Sequence, residues 1–360
     1  MSSVLDADRS SGRVRVQAGI RLHALSDELA RHGLALQNLG DVNVQSIAGA
    51  ISTGTHGTGA TLPNVSAQVV AAQLVDAHGE VHELTGEDLR AARVSIGALG
   101  VLTELELQCV PLFTLRGVDA RRPLVDVLDE LDTLPDRARH FEFYVFPHSD
   151  LALTRTNEIV DAPPAPPSAA RRYVEDIVLN NYVLGAAIGL GRRRRALIPT
   201  INRQIAKAFS ARERIDRADR IFASPRLVRF VEMEQAFPRE HTRAVVEEIL
   251  DVSRRYPVNF PIEVRFVAGD DAMLSPAAGR DSVYVAVHNA IGMPWEPFFR
   301  ACAEIGDRYD ARPHWGKRHF HTAATLAPRY PEWDAFAAAR DRFDPDRRFA
   351  NDYVTRVLGA

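Results

Sequence analysis

The amino-acid sequence predicts an α+β protein with two domains, and three observations indicate this fold class. The chain has 360 residues, more than the roughly 250–300 residues that one hydrophobic core usually serves. Hydrophobic residues make up 46% of the chain and charged residues 25%, as in ordinary globular proteins. Segments with the two-residue period of strands alternate with segments at helical spacing. Because the composition changes after Pro111, we expect one domain over residues 1–110 and a second over residues 111–360.

Charge, cysteines and hydropathy exclude several classes of partner. The net charge is −3 with both signs interspersed, so neither nucleic acid nor a membrane is indicated as a partner. Arg192–Arg195 form a basic cluster that we interpret as a solvated face. Cys109 and Cys302 lie far apart in the sequence, without metal-ligand spacing. No apolar run approaches the roughly 20 residues of a membrane span, and the N-terminus lacks the pattern of a signal peptide, so we expect a cytoplasmic location.

The first 110 residues predict short strands and helices on either side of a glycine-rich loop. Alternating polar and apolar residues over 13–19 predict a strand, and apolar residues at helical spacing over 21–32 predict a helix. Gly79 suits the turn of a hairpin between two later β-runs. The remaining predicted elements are the hairpin strands 67–75 and 80–84, a helix over 87–93 and a strand that follows Gly100 and ends at Pro111.

Beyond Pro111, helical segments alternate with strands, as expected for a second α+β domain. The proline-rich stretch 161–168 predicts a stiff extended loop, because proline fixes φ and lacks a backbone donor. It opens a long excursion over 171–220 that has a helical tendency and no assigned purpose. The predicted elements are helices over 123–134 and 239–254 and strands over 140–147, 226–234 and 261–267.

Residues 40–59 are small, glycine-rich and rich in hydroxyls, which predicts a loop that lets a ligand approach the backbone closely. The segment matches neither the GxxxxGK[ST] phosphate loop nor the GxGxxG dinucleotide turn. Its backbone N–H groups and the hydroxyls of Thr53, Thr55 and Thr58 could bind a flat ring with carbonyl and imine acceptors, such as an isoalloxazine. From composition alone, a structural loop and a cofactor cradle both remain open.

The segment 260–266 places an acid and a base on one face of a predicted strand. Since residues i and i+2 of a strand share a face, Glu263 and Arg265 point the same way. The intervening apolar residues then face the core, namely Ile262, Val264 and Phe266. An ion pair on the surface and a cleft that binds a polyol or lactone oxygen both remain open.

A dense cluster of hydrogen-bond donors occupies residues 312–319, Arg-Pro-His-Trp-Gly-Lys-Arg-His. We exclude zinc there, because its two histidines are five residues apart and neither a cysteine nor a carboxylate completes a ligand set. Lys317 could instead stabilise negative charge on a reduced flavin or on a substrate oxygen. The alternative is that Lys317 packs with His314 and Trp315 in a structural role. Neither a metal nor a nicotinamide cofactor is expected in the chain.

The order of these motifs resembles that of the FAD-linked sugar-lactone oxidoreductases within the vanillyl-alcohol-oxidase-like flavoproteins. That family includes L-gulono-1,4-lactone oxidases and dehydrogenases, D-arabinono-1,4-lactone oxidases and alditol oxidases. The resemblance implies the second half of a PCMH-type FAD-binding domain, followed by an α+β substrate domain with an antiparallel sheet, whose chain end returns to the flavin site. It rests on the segments 40–59, 97–101, 141–147, 228–234, 260–265, 314–319 and 349–352, which together cover nearly the whole chain.

The resemblance also implies FAD-dependent oxidation of a carbinol by hydride transfer to flavin N5. The implied substrate is L-gulono-1,4-lactone or a similar aldonolactone, with an alditol as the alternative, and O2 or an electron carrier would reoxidise the flavin. The implied catalytic residues are Glu263, Arg265 and Lys317, and the implied substrate-binding residues are Thr58, His288 and His314. The implied flavin-binding residues are Gly40, Asp41, Gln45, Ser46, Gly49, Thr53, Gly54, Thr55, His56, Gly57, Gly100, Val101 and Asn351.

The family that this sequence resembles begins with a further FAD-binding segment. That segment usually reads Gly-x-Gly-His-Ser, and in several members it supplies a histidine that bonds the flavin covalently. No such motif occurs among the 360 residues, so we expect FAD to be bound non-covalently. A misplaced start, a split gene and a real truncation all remain open, and a truncated relict that cannot hold FAD is the alternative to an enzyme.

Overall fold

Two antiparallel sheets form the framework of the chain. The computed structural model describes residues 1–360 apart from the side chain of Asn180. The strands in chain order are β1 Val4–Asp8, β2 Arg13–Gln17, β3 Leu34–Ala35, β4 Val69–Val75, β5 Val81–Leu84, β6 Val101–Gln108, β7 Val110–Pro111, β8 Thr114–Pro123, β9 His140–Val145, β10 Leu151–Val160, β11 Arg212–Arg217, β12 Phe230–Pro238, β13 Ile262–Val267, β14 Ser282–Ala290 and β15 Arg312–Pro313. One sheet has the order β1-β2-β6-β4-β5, the other has the order β11-β8-β10-β9-β13-β14-β12-β15, and β3 pairs separately with β7.

Helices pack against both sheets. The α-helices in chain order are α1 Leu22–Arg31, α2 Ile47–Ser52, α3 Gly86–Arg93, α4 Leu124–Asp129, α5 Ala169–Arg172, α6 Leu184–Arg193, α7 Ile198–Ala208, α8 Ala218–Phe222, α9 Thr242–Ser253, α10 Glu296–Arg308, α11 Ala323–Leu326, α12 Trp333–Phe343 and α13 Asp352–Leu358. A π-helix, Tyr173–Val183, connects α5 to α6. In the described part of the chain, no helix has the length and apolar character needed to cross a membrane.

The five-stranded sheet shares one core with helices from both ends of the chain. Val14 and Val16 alternate with more polar residues along β2 and are fully buried. Their partners on β6, Leu107 and Leu105, lie in the same core. Val357 of α13 also belongs to this core. The last helix therefore returns to the sheet with which the chain begins.

The central strands of the eight-stranded sheet have one apolar and one polar face. In β13, Val264 and Phe266 lie in a core that includes residues of α9 and α10. Val264 pairs with Phe143 of β9 and with Val285 of β14, and both partners belong to the same core. The predicted inward direction of these β13 residues is confirmed. Alternate residues of β13 occupy the opposite face, which carries the charges.

Several predicted elements are confirmed and others are shifted. The hairpin of β4 and β5 and the helix α1 lie where their sequence patterns predict them. The strand predicted over 226–234 begins later, because its ladder with β14 runs over Phe230–Pro238. The helix predicted over 123–134 ends earlier, at Asp129. Periodicity therefore located these elements better than it located their ends.

The expectation that residues 40–59 form only a loop was wrong, because α2 lies inside this range. The Ser46 side chain caps the helix by accepting a hydrogen bond from Gly49 N at 3.2 Å. Small and β-branched residues on the inner side hold the helix against the core, namely Ile47, Ala50 and Ile51.

Gly57 occupies a position where the fold leaves no room for a side chain. A Cβ built there would lie 2.4 Å from Asn38 Oδ1 and 2.6 Å from the Leu39 carbonyl oxygen. We predict that Gly57→Ala lowers the free energy of unfolding by about 1–3 kcal/mol, the usual cost of overpacking. Urea denaturation followed by circular dichroism measures this loss.

The matched control for this variant is Gly189→Ala in α6. There, among the described residues, no atom outside the local helix backbone lies within 4 Å of the added Cβ. Alanine is the better helix former by about 1 kcal/mol, so this variant should be neutral or stabilising. Equal losses in the two variants would contradict the prediction.

Candidate active site

The polar face of the eight-stranded sheet gathers charged side chains from adjacent strands. In an antiparallel ladder, directly paired residues point to the same face. Arg265 of β13 pairs with Glu142 of β9, and Glu263 pairs with Ala286 of β14. Ala286 in turn pairs with Glu234 of β12. The register thus places carboxylates of β9, β13 and β12 on the face that carries the β13 guanidinium.

The Arg265 guanidinium is buried among three carboxylates. Its Nε donates to Glu142 Oε2 at 2.9 Å, its Nη2 forms an ion pair with Glu263, and Nη2 lies 3.3 Å from Asp41 Oδ2. The Arg265 side chain is only 7% exposed. Burial lowers the pKa of Arg265, but the nearby carboxylates outweigh this effect and hold the pKa well above its ordinary value. The predicted acid–base pair is therefore buried, not on the surface.

Asp41 connects this cluster to the glycine-rich loop. Besides Arg265, it forms an ion pair with Arg226. Burial raises the pKa of Asp41, but the charges of Arg226, Arg265 and Lys317 outweigh burial and lower it. The Asp41 side chain is 19% exposed and that of Arg226 is 39% exposed. This ion pair therefore forms the solvent-facing edge of the cluster.

Glu263 carries an oxygen whose only polar contact, within the described part of the chain, is the ion pair with Arg265. Its Oε1 is buried, and no donor among the described residues makes a hydrogen bond to it. The oxygen meets the Arg265 guanidinium only as an ion pair. Burial raises the pKa of Glu263, while the Arg265 charge acts in the opposite direction. Because a carboxylate oxygen can accept more than one hydrogen bond, this oxygen could also accept from a hydroxyl of a bound molecule.

Lys317 lies between two carboxylates of β12 that the sequence analysis did not identify. Its Nζ is 2.5 Å from Glu232 Oε1 and 2.5 Å from Glu234 Oε2. Burial lowers the pKa of Lys317, but the two carboxylates outweigh burial and raise it, so the ammonium group stays charged. The available signal was the alternation Val-Glu-Met-Glu over 231–234, because a period of two puts both glutamates on one face.

Three histidines surround this group of one lysine and two carboxylates. His288 Nε2 is 3.1 Å from Glu232 Oε1, and His56 Nε2 is 3.3 Å from Glu234 Oε1. Ligand atoms of His56, Glu234 and His314 lie within 4.8 Å of one another, a grouping that could hold a metal ion. Sequence spacing could not reveal it, since the three residues come from separate segments. Because the lysine already neutralises Glu234, we interpret the grouping as a hydrogen-bonded network.

The end of the glycine-rich loop is joined to the sheet by its own polar groups. The Thr58 hydroxyl donates to the Phe141 carbonyl oxygen and accepts from Phe266 N at 3.2 Å. Gly59 N donates to the Phe266 carbonyl oxygen at 2.7 Å. These contacts hold the loop against β9 and β13. The hydroxyl of Thr58, which the resemblance assigned to substrate binding, thus has two main-chain partners in the structure.

Part of the expected flavin-binding set lies together beside the charged face. A Cβ on Gly40 would lie 3.1 Å from the His56 carbonyl oxygen, so the two loop segments are in contact. A Cβ on Gly316 would lie 3.3 Å from Thr53 Cβ, which brings the segment of Lys317 against the same loop. The residues brought together in this way are Gly40, Asp41, Thr53, Gly54, Thr55, His56 and Gly57.

The remaining residues of that set make their contacts elsewhere. Val101 is 48% exposed at the start of β6, and Asn351 caps α13 by accepting a hydrogen bond from Val354 N at 3.0 Å. A Cβ on Gly100 would lie 2.4 Å from the Val75 carbonyl oxygen, within the small sheet. Among the described contacts, none joins the following residues to the charged cluster: Gln45, Ser46, Gly49, Gly100, Val101 and Asn351.

The residues gathered around the polar face fit an FAD with a hydroxylated substrate beside it. Arg265 and Lys317 offer cationic donors suited to carbonyl and imine acceptors. The Glu263 carboxylate offers an acceptor for a substrate hydroxyl.

Comparison with known proteins identifies the family. Residues 105–357 match the D-arabinono-1,4-lactone oxidase family, and residues 1–85 match the FAD binding domain family. The chain belongs to the D-arabinono-1,4-lactone oxidase family. It is 51% identical to the L-gulono-1,4-lactone dehydrogenase of Mycobacterium tuberculosis over 100% of this chain and 84% of that protein. It is 33% identical to the L-gulonolactone oxidase of Bos taurus over 99% of this chain and 84% of that protein.

More distant relatives agree with the family and the fold of this lactone oxidase family member. An alditol oxidase of Streptomyces is 29% identical over 98% of this chain and 83% of that protein. The cholesterol oxidase of Brevibacterium sterolicum matches with a TM-score of 0.81 at 17% identity, over 99% of this chain and 83% of that one, which shows the fold alone. The expected fold class, with a PCMH-type FAD-binding part and an α+β part, is confirmed. The expected family of FAD-linked sugar-lactone and alditol oxidoreductases is confirmed as well.

Buried neutral histidines should make this fold sensitive to acid. Burial lowers the pKa of His140 to about 4 and that of His314 to about 3, from an ordinary value of 6.5. Below about pH 6.5 the unfolded chain therefore takes up protons that the folded chain does not. This stability is complete above that pH and is lost as the pH falls toward the folded-state values. We predict a loss of about 1 kcal/mol for each such histidine between about pH 7 and pH 5.5.

His140 allows a test at a buried ring that packs edge-on against Phe222, with centroids 5.0 Å apart. His140→Phe should remove one proton uptake and flatten the pH dependence of the urea midpoint. His78→Gln, at an exposed position, is the control and should leave the pH dependence unchanged. The same slope in His140→Phe and the unmodified protein would rule out this source of acid sensitivity.

Proposed function

We propose that this protein oxidises a carbinol carbon of L-gulono-1,4-lactone or a similar aldonolactone, with FAD as its cofactor. The observation that carries this proposal is the buried Glu263–Arg265 pair on the polar face of the eight-stranded sheet. The pair offers an acceptor for a substrate hydroxyl beside a planar cation that suits lactone oxygens. The 51% identity to an L-gulono-1,4-lactone dehydrogenase supports the same substrate class.

FAD, when bound, supplies the hydride acceptor at N5. The residues of the chain bind and orient the substrate. Glu263 accepts a hydrogen bond from the reacting hydroxyl and can take up its proton, because burial raises the pKa of this carboxyl. Arg265 donates to a lactone or hydroxyl oxygen and keeps the carboxylate in place. Both side chains are only 7% exposed, so water is largely excluded from the reacting atoms.

Lys317 contributes a fixed positive charge to the group that it forms with Glu232, Glu234 and His288. Burial lowers the pKa of His288, but the charge and hydrogen bond of Glu232 outweigh burial and raise it. His288 and Lys317 both contact the Glu232 carboxylate, and Lys317 also contacts Glu234. In this proposal the two glutamates hold the ammonium group where negative charge develops during the reaction. His288 acts as a positioning residue through Glu232, and His314 lines the same network.

The cofactor contacts belong to the same proposal. The loop 53–57 and Asp41 contact the flavin, which is held non-covalently, and O2 or an electron carrier reoxidises it. The domain boundary lies near Pro111, with the FAD-binding part before it and the substrate part after it. The support is the match of residues 1–85 to the FAD binding domain family and the packing of this loop beside the charged face.

An alditol is the second candidate substrate, supported by the relationship to an alditol oxidase. Both candidates are tested with purified protein to which FAD has been added. We expect a yellow protein whose visible flavin absorbance is bleached by L-gulono-1,4-lactone in the absence of air. If an alditol bleaches the flavin and the lactone does not, the substrate is an alditol. A protein that stays colourless would support the alternative of a relict that cannot hold FAD.

Arg265→Lys sharpens this test, because a point charge cannot reproduce the guanidinium fork. We predict that kcat/KM for the lactone falls by about 10²–10³-fold, as for the loss of one oriented donor at a reacting centre. Arg243→Lys is the control, since Arg243 is 52% exposed in a surface ion pair. An Arg265→Lys enzyme with unchanged kcat/KM would show that the pair is structural.

Lys317→Met tests the fixed charge. We predict that anaerobic flavin reduction, measured by stopped flow, slows by about 10²–10³-fold. The variant also leaves Glu234, which is 1% exposed, without its cation, so the melting temperature should fall. The double variant Lys317→Met/Glu234→Gln should restore the melting temperature without restoring the rate. Lys207→Met, at an exposed position, is the control. A normal rate in either Lys317 variant would leave the lysine with only its structural role.

A further inference from the structure

The excursion after the proline-rich loop presents an apolar stripe to solvent. The π-helix Tyr173–Val183 and the helix α6 follow one another without a break. Their exposed apolar residues recur at helical spacing, at positions 179, 183, 186 and 190. The opposite side, with Ile188 and Gly191, is buried. The large exposed residues are Tyr173 at 55%, Val174 at 49%, Leu179 at 50%, Tyr182 at 59%, Val183 at 54% and Leu190 at 46%.

Such a stripe differs from the scattered apolar residues that any protein surface carries. Elsewhere on the chain, exposed residues such as Val81 and Val125 stand singly, on β5 and α4. A contiguous exposed apolar surface on a helix indicates contact with another molecule or with lipid. Composition alone could not show it, because the same residues could equally have faced the core.

The same excursion is strongly basic. No aspartate or glutamate occurs between Asp176 and Glu213, although the whole chain has a net charge of −3. The basic residues in this interval are Arg192, Arg193, Arg194, Arg195, Arg203, Lys207 and Arg212. The residues of the run Arg192–Arg195 are all exposed, and the run follows directly after the apolar stripe. Exposed apolar side chains thus lie next to a local excess of positive charge.

We propose that this surface, Tyr173–Arg195, docks the protein on an anionic lipid membrane. An amphipathic helix with arginines beside its apolar side lies in the membrane interface, where acyl chains receive the apolar side chains and anionic headgroups receive the cations. A nucleic acid would use the arginines but not the leucines. A second copy of the chain would use the leucines but would bring two basic runs close together.

The docking surface lies beside the outer edge of the candidate active site. The Asn181 side chain accepts a hydrogen bond from Leu227 N at 2.6 Å and donates to the Pro225 carbonyl oxygen at 3.0 Å. Between these two residues lies Arg226, the ion-pair partner of Asp41. Leu227 is itself 53% exposed. The docked protein would therefore hold this edge of the site next to the bilayer.

Vesicle sedimentation with the full chain tests the proposal. We expect binding to vesicles of phosphatidylcholine with phosphatidylglycerol, little binding to phosphatidylcholine alone, and weaker binding at high salt. Leu179→Ser/Leu190→Ser should weaken binding to the anionic vesicles by about tenfold or more. Arg193→Gln/Arg194→Gln should weaken it by about tenfold or more as well. The matched control Val81→Ser/Val125→Ser, at positions 61% and 60% exposed, should bind as the unmodified protein does.

Thermal melts verify that all variants are folded, and the arginine variant changes only exposed side chains. The proposal is overturned if anionic vesicles do not bind the protein, or if the control variant loses as much binding as the stripe variants. If the protein binds no vesicles and analytical ultracentrifugation shows a dimer that the leucine variant abolishes, the surface is an interface between two copies of the chain, and the proposal is overturned. Binding to an oligonucleotide without vesicle binding would assign the surface to nucleic acid instead.

Discussion

The burial of Arg265 among carboxylates is the constraint on which the rest of the site depends. A charged group so far from water is tolerated only when partners compensate it, and removing one partner leaves an unpaired buried charge. Glu142 and Glu263 come from the sheet itself. Asp41 comes from the glycine-rich loop of the other half of the chain. The ion cluster therefore fixes how the loop lies on the sheet, and the Thr58 contacts complete this attachment.

The sequence predicted the fold best where one face of a strand is polar and the other apolar. The strand β13 alternates cleanly, so its inward and outward residues could be assigned before the structure was known. The strand β14 was not predicted, although Val283, Val285 and Val287 recur with a period of two and lie in the core of this sheet. The helix α2 was missed because small residues suggested a loop, whereas its stability comes from a cap and from tertiary packing.

The site was predictable only in part, because its residues meet through strand register and not through spacing in the sequence. The pair Glu263 and Arg265 lies two positions apart on one strand and was found. Glu142 contributes to the same cluster from 123 residues away. Its place between Phe141 and Phe143 puts it on the polar face of a strand, but nothing in the sequence showed that this strand lies beside β13. Glu232 and Glu234 had a readable alternation, but nothing in the sequence showed that their strand lies opposite the segment of Lys317. Local motifs therefore located the cations of the site, and the fold supplied most of their anionic partners.

The ion pair of Asp41 and Arg226 connects the buried ion cluster to the segment beside the docking surface. On its inner side Asp41 faces the buried Arg265 at 3.3 Å, and on its outer side Arg226 is 39% exposed beside the segment that Asn181 holds. Anionic headgroups at the docking surface would compete with Asp41 for the Arg226 guanidinium. Because Asp41 would keep Arg265 as its remaining partner, the buried cluster would stay compensated when the outer pair is disturbed. The buried Arg265 would thus keep its carboxylate partners even when the Asp41–Arg226 ion pair at the proposed membrane contact is broken.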